Sequence, residues 1–162
     1  MASNYVAQLV AEYYEYRGYF VRRNVQVGLR AKGGYECELD VIAYDPTNGQ
    51  LVQVEPSMDA DTWPERERRY AKKFDAGRKY IPQLFAGLNT AGGIEQIALF
   101  MGGRTRQTEE FCGGRIVYLR EFLITVLKAV RDKPVMHRAV PEQYPILRTM
   151  QLVNEYREYM FR

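Results

Sequence analysis

The spacing of apolar and polar residues divides the chain into nine predicted elements. Apolar residues at helical spacing predict a first helix that ends at about residue 17, just before Gly18. Three strand patterns come next, YFVRRNVQVGL, YECELDVIAY and LVQVEP. The last two flank DPTNG, in which Asp-Pro opens a turn and Asn-Gly supplies a positive φ. These segments predict three consecutive antiparallel strands.

The second half of the chain alternates between helical and strand patterns. A basic helix, WPERERRYAKKFDAGRKY, begins after Asp61 or Thr62 as its cap, and the following IPQLFAGL either ends or extends it. IEQIALFMG and RIVYL predict two strands, REFLITVLKAVRD predicts a helix that ends before Pro134, and a last helix spans about residues 145–160. The order predicts an α/β fold with a central mixed β-sheet flanked by helices. We expect a core over residues 1–133, with a linker and C-terminal helix over residues 134–162 packed on the same domain.

Composition narrows the classes of function. The 162 residues are 46% hydrophobic, and no apolar run approaches the roughly 20 residues that span a membrane. The two cysteines form no CxxC pair and the N-terminus lacks a signal-peptide pattern, so we expect a cytoplasmic protein with no membrane partner. The single histidine, His137, supports neither a histidine-based triad nor a zinc site. A net charge of +3 permits nucleic acid as a partner without requiring it.

Acidic residues lie within the two strands around the DPTNG turn. Side chains alternate along a strand, so Glu36, Glu38 and Asp40 share one side of theirs, as do Gln53 and Glu55. If the hairpin closes at DPTNG, Asp40 can lie on the same sheet face as Gln53 and Glu55. Converging oxygen ligands of this kind suit Mg²⁺, which takes one or two carboxylates, waters and a substrate phosphate. The alternative is a solvated sheet face, on which scattered acidic residues are common.

Short motifs in the first third of the chain occur in a particular order. They are Ala11-Glu12 in the first helix, Gly18-Tyr19 at its end, Arg23-Asn24 in the next strand, then ECELDVIA and LVQVEPS. Together they resemble the PD-(D/E)XK nuclease superfamily, in particular the small predicted endonucleases related to archaeal Holliday-junction resolvases. The resemblance implies a restriction endonuclease-like fold and Mg²⁺-dependent cleavage of DNA. The catalytic positions that it implies are Glu12, Asp40, Gln53 and Glu55.

The last motif departs from the pattern of that superfamily. Gln53 stands where the family has a metal-binding acid, and Glu55 stands where it has a catalytic lysine. Gln53 keeps an oxygen ligand but not its charge, while Glu55 can act as a general base or an extra metal ligand. The resemblance therefore implies a Mg²⁺ or Mn²⁺ site at Asp40, Gln53 and Glu55. A lysine from the following helix, Lys72 or Lys73, is a possible substitute for the family lysine.

Basic residues are concentrated in the helix that follows the acidic hairpin. Residues 65–79 include seven basic and three acidic side chains, a difference of +4. A basic helix beside an acidic site can hold a phosphate backbone, although such a face is also commonly just solvated. Two arginines in MGGRTRQ could add phosphate contacts from a loop. The candidate DNA contacts are therefore Arg66, Arg69, Lys72, Lys73, Arg104 and Arg106.

Two functions follow from these observations. The first is a metal-dependent DNA endonuclease that hydrolyses phosphodiester bonds with an atypical Asp…Gln-x-Glu active site. The second is a catalytically inactive module of the same fold that binds DNA or a protein partner. Because the related Holliday-junction enzymes dimerise, the last helix is either a homodimer interface or a core helix.

Overall fold

The computed structural model describes residues 5–102 and 109–160, and within these ranges it contains five helices and six strands. Their bounds in chain order are α1 Tyr5–Tyr16, β1 Phe20–Leu29, β2 Tyr35–Tyr44, β3 Leu51–Ser57, α2 Trp63–Leu84, β4 Ile94–Phe100, β5 Glu110–Phe111, β6 Gly114–Tyr118, α3 Leu119–Val130, α4 Val135–Arg138 and α5 Pro145–Met160. The predicted α/β class is confirmed.

The six strands form one mixed sheet in the order β1-β2-β3-β4-β6-β5. β1, β2 and β3 pair antiparallel as predicted, and β4 and β6 add parallel to β3. The DPTNG turn closes through the Asp45 carboxylate, which accepts a hydrogen bond from Thr47 N at 2.8 Å, and Gly49 has a φ of 73°. β3 and β4 are parallel and need a crossover connection, which α2 provides.

Helices cover both faces of the sheet. The core under α1, α3 and α5 contains Val52 and Val54 of β3, together with apolar residues of β2 and β4. α2 covers the opposite face with residues such as Phe74 and Ile81. Since side chains alternate along β3, the two valines fill the first core, and the polar residues between and beside them face α2.

α2 takes the longer of its two predicted forms. It begins at its predicted cap, where Thr62 N donates to Glu65 Oε2 at 3.0 Å, and it extends through IPQL to Leu84. Pro82 lies in the last turn, where it removes one backbone hydrogen bond next to the end of the helix. The extension buries Ile81 in the α2 core, and this burial outweighs the local effect of proline.

The C-terminal segment packs on the same core as the rest of the chain. Ile146 and Leu147 of α5 are buried in the cluster formed with α1 and α3. Two short elements, β5 and α4, lie where the sequence indicated only loop or linker, because elements of two to four residues leave no periodic pattern. In the described part of the chain, no helix combines the length and apolar character needed to cross a membrane.

Candidate functional site

Asp40 and Glu55 meet a lysine from α2. Lys73 Nζ lies 2.9 Å from Asp40 Oδ1 and 2.5 Å from Glu55 Oε2. One ammonium group bridges both carboxylates, so the two lie within the span of a single cation. The predicted convergence of Asp40 and Glu55 on one sheet face is confirmed. Lys73 reaches this pair, whereas the side chain of Lys72 is exposed.

The backbone of β2 is irregular at Asp40. β2 pairs with β3 as far as Val41, and the next amide, Asp40 N, lies 3.3 Å from each carboxylate oxygen of Glu55. On the other side, the pairing with β1 passes over Asp40 and Asn24, and Asn24 has a φ of 51°. Where the β2–β3 pairing ends, a backbone donor of β2 therefore faces a buried carboxylate of β3.

Burial controls the ionisation of the Glu55–Lys73 pair. The Glu55 side chain is 1% exposed, and this burial raises its pKa to about 8, against the opposing effect of the Lys73 charge. For Lys73, burial lowers the pKa, but the carboxylates of Glu55 and Asp40 outweigh it and hold the pKa above its ordinary value. Lys73 therefore remains cationic, while Glu55 titrates near neutral pH.

Gln53 turns its amide nitrogen toward Glu55. Gln53 Nε2 donates to Glu55 Oε1 at 2.9 Å and to Lys73 O at 3.1 Å. Gln53 Oε1 accepts a hydrogen bond from Gln96 Nε2 at 2.7 Å. This orientation differs from the expectation that Gln53 offers an oxygen to a metal ion. It presents a donor that holds the Glu55 carboxylate instead.

The two carboxylates suit a divalent cation. Asp40 and Glu55 supply what the protein usually contributes to a Mg²⁺ site that waters and a phosphate complete. Their shared contact with the Lys73 ammonium shows that the pair accommodates a positive charge. Among residues 5–102 and 109–160, no group of three or more His, Cys, Asp or Glu side chains is placed to hold a metal. A cation bound here would therefore need oxygens from water or substrate.

Glu12 lies elsewhere in the fold. Its Oε2 accepts a hydrogen bond from Leu147 N in the first turn of α5 at 2.9 Å, and its Oε1 accepts one from Gln8 at 3.0 Å. α1 packs in the core on the sheet face opposite to the one that carries Gln53. The structure therefore corrects the expectation that Glu12 joins the acidic site. Glu12 is buried because it caps α5, whose N-terminus favours a negative charge.

The candidate DNA-contacting residues differ in whether their side chains are free to bind a ligand. Arg66 is 6% exposed, and its guanidinium lies over two aromatic rings at 5.2 and 4.9 Å from their centroids, so its side chain is engaged in the fold and its contact with DNA stays a prediction that this burial does not favour. Arg69 forms ion pairs with two aspartates, one of them at 2.5 Å. Lys72 is exposed and remains available to a ligand. Arg104 and Arg106 lie outside the described residues.

Two clefts adjoin the site and share Arg69 and Lys73 in their walls. A cleft of about 280 Å³ is lined by Glu55 and the residues that follow it up to position 59. A second cleft of about 550 Å³ lies between α2 and the β1–β2 hairpin and includes Tyr35 and Lys72. Lys73 retains 20% exposure. A ligand in either cleft can therefore reach the Lys73 ammonium.

Several residues around the site escaped the sequence analysis. Gln96 of β4 donates to Gln53, and Tyr70 OH donates to Glu55 O at 2.9 Å. Arg78 of α2 donates to the oxygen of Gln96. The glutamine within IEQIALF could have indicated this contact, because a polar side chain in a buried strand needs a hydrogen-bond partner.

Comparisons with known proteins give no functional assignment. No family model matches the chain, and no curated protein matches it. Among solved structures, the chain is similar to the one described as "Crystal Structure of Protein of Unknown Function AF1548". The two are 14% identical, the match covers 93% of this chain and 95% of that chain, and the TM-score is 0.46.

Proposed function

We propose that the chain is a metal-dependent DNA endonuclease of restriction endonuclease-like fold, working in the cytoplasm. The observation that carries this proposal is the meeting of Asp40, Glu55 and Lys73 beside two clefts. Two carboxylates can hold a metal ion that activates water for phosphodiester hydrolysis, and a lysine can offset the charge on the phosphate; here the lysine comes from α2 instead of β3.

Each residue of the site has a distinct role in this proposal. Asp40 and Glu55 would hold Mg²⁺ or Mn²⁺, which when bound supplies an acidified water for attack on phosphorus. Lys73 would place its ammonium against the negative charge that develops on the phosphate, a role that Glu55 cannot fill. Gln53 holds the Glu55 carboxylate in place. Lys72, exposed in the larger cleft, would contact a backbone phosphate.

A second candidate is a catalytically inactive module that binds DNA or a protein partner. Lys73 already compensates both carboxylates, and the Asp40 side chain retains only 18% exposure. A salt bridge of this kind can stabilise the fold with no metal bound. In that case the binding activity would be independent of divalent cations.

The test compares cleavage and cation binding in the same variants. Linear, supercoiled and branched DNAs are incubated with Mg²⁺ or Mn²⁺, and Mn²⁺ binding is measured by isothermal titration calorimetry. Asp40→Ala should abolish both, while Asp132→Ala, at an exposed acid just after α3, serves as the matched control and should change neither. Circular dichroism checks that each variant is folded.

The outcomes separate the two candidates. Cleavage by the wild type that Asp40→Ala removes supports the endonuclease. A wild type that binds DNA but cuts no substrate refutes the endonuclease and favours the binding module. Equal cleavage by the wild type and Asp40→Ala refutes an endonuclease site at Asp40.

A further inference from the structure

A chain of side-chain hydrogen bonds links the surface of α2 to the buried carboxylate. Arg78 Nη1 donates to Gln96 Oε1, Gln96 Nε2 donates to Gln53 Oε1 at 2.7 Å, and Gln53 Nε2 donates to Glu55 Oε1 at 2.9 Å. The two glutamines are direct register partners in the parallel pair β3–β4. Gln53 is fully buried and Gln96 is 5% exposed, so both amides are shielded from water in the folded chain.

The donor-to-acceptor direction of these hydrogen bonds is fixed by groups that can only donate or only accept. A guanidinium only donates hydrogen bonds, so Arg78 requires the oxygen of Gln96 to face it. Backbone carbonyls only accept, and Gln96 Nε2 also donates to Phe74 O at 2.8 Å. Gln53 is held in the same way, because its Nε2 donates to Lys73 O at 3.1 Å. Each amide therefore has a single satisfied orientation.

The absence of a side chain at Gly77 of α2 makes space for the Gln53 amide. A Cβ at Gly77 would lie 1.8 Å from Gln53 Oε1, and Gly77 is buried within α2. Glycine costs helix stability at an interior position, by about 1 kcal/mol relative to alanine. Its presence here is explained by the close approach of the Gln53 side chain to the helix backbone.

We infer that Gln96 and Arg78 are positioning residues, which fix Gln53 as a hydrogen-bond donor to Glu55, so that Gln53 is not a metal ligand. That this site binds a metal rests on the proposed function. The orientation of the Gln53 amide is a property of the folded protein without metal or DNA, and can be tested separately. In the opposite orientation, Gln53 Oε1 would face the Glu55 carboxylate and a backbone carbonyl, and each of these two acceptors would lose one of its hydrogen bonds and face an acceptor instead.

The experiment observes the Gln53 side-chain amide directly by NMR in the full chain without metal. In the wild type, the Gln53 amide protons should exchange slowly with water compared with those of the exposed Gln26. A scalar coupling through the hydrogen bond should connect Gln53 ¹⁵Nε2 with the carbonyl carbon of Lys73. Fast exchange of the Gln53 amide or absence of this coupling would overturn the inference, whether or not the protein cleaves DNA.

Two variants test the positioning residues. Gln96→Glu keeps the size of the side chain and its contact with Arg78 but removes the donor to Gln53. The exchange of the Gln53 amide should then accelerate on the order of tenfold, the ratio that one net hydrogen bond contributes. Arg78→Met should have a smaller effect, because a backbone carbonyl still orients Gln96.

The matched control is Gln83→Glu, on the exposed surface of the same helix. It should leave the exchange of the Gln53 amide unchanged. Equal exchange rates in Gln96→Glu and Gln83→Glu would refute the positioning role. If Gln96→Glu does not fold, the coupling in the wild type and the Arg78→Met exchange rate decide the question, since the Arg78 side chain is 44% exposed and its replacement leaves the core intact. No change at all in Arg78→Met would then count against Arg78.

Discussion

Replacing Lys73 by methionine is expected to destabilise the protein in a way that depends on pH. The substitution keeps most of the aliphatic stem and removes the only charge that touches both Asp40 and Glu55 among the described contacts. Breaking such a pair leaves a carboxylate with 1% exposure and no cationic partner. A carboxylate in that position becomes protonated where the pH allows, so the cost depends on the pH.

The magnitude follows from the pKa of Glu55, which burial raises from its ordinary 4.5 to about 8. Between these values the folded state keeps a proton that the unfolded chain has released. The stability contributed by this proton is complete below pH 4.5 and is lost as the pH rises through 8. Without Lys73 the pKa is higher still, so the loss continues above pH 8 by up to about 1.4 kcal/mol per pH unit.

The free energy of unfolding is measured by urea denaturation at pH 6, 7, 8, 9 and 9.5. At pH 6 the variant should lose about 1 kcal/mol or less, since the Asp40–Lys73 contact is partly exposed. The difference in the free energy of unfolding between the wild type and the variant should be about 2 kcal/mol larger at pH 9.5 than at pH 8. The raised pKa of Lys73 means that its own titration lies above this range.

Two controls decide whether Glu55 is the cause. Lys72→Met removes an exposed charge from the adjacent position and should change stability by no more than about 0.5 kcal/mol at any pH. Lys73→Met combined with Glu55→Gln should abolish the widening, because glutamine does not titrate. A gap that stays constant with pH, or one that persists in the double variant, would refute the reasoning.

Three further predictions concern buried positions of the fold; urea denaturation measures the changes in stability, and the DNA cleavage and binding assays measure the effects on DNA. Gly77→Ala should destabilise the protein by about 1–3 kcal/mol, although alanine favours helices, because its methyl group overlaps the Gln53 amide. Glu12→Ala should cost about 1–2 kcal/mol by removing the acceptor for Leu147 N, without affecting DNA cleavage. Arg66→Met should cost about 1–3 kcal/mol and leave the salt dependence of DNA binding unchanged, since its guanidinium is buried.

The sequence alone determined the sheet faces at the site. Side-chain alternation is a local property of a strand, so the pattern of LVQVEPS was sufficient to place Gln53 and Glu55 on one face and the valines on the other. The DPTNG turn added the register that brings Asp40 to the same face. Strand alternation and turn geometry each depend on residues that are close in the sequence, so both can be predicted from the sequence pattern.

Tertiary structure decided which charged groups belong to the site. Lys73 reaches Glu55 across 18 positions because of how α2 crosses the sheet, and nothing in its spacing distinguishes it from Lys72. Glu12 matched a motif, yet the packing of α5 on α1 engages its carboxylate at Leu147, 135 positions away. A charged side chain pairs with whichever group the folded backbone places close to it. Local periodicity in the sequence does not indicate which distant residues become neighbours.

The orientation of Gln53 is the finest of these details and depends wholly on the fold. An amide can present either a donor or an acceptor, and its own residue type does not choose between them. The choice comes from Gln96, 43 positions away, and from backbone carbonyls of α2. The sequence therefore placed a polar group at the site, whereas its chemical character was set by partners that only the assembled sheet and helix bring together.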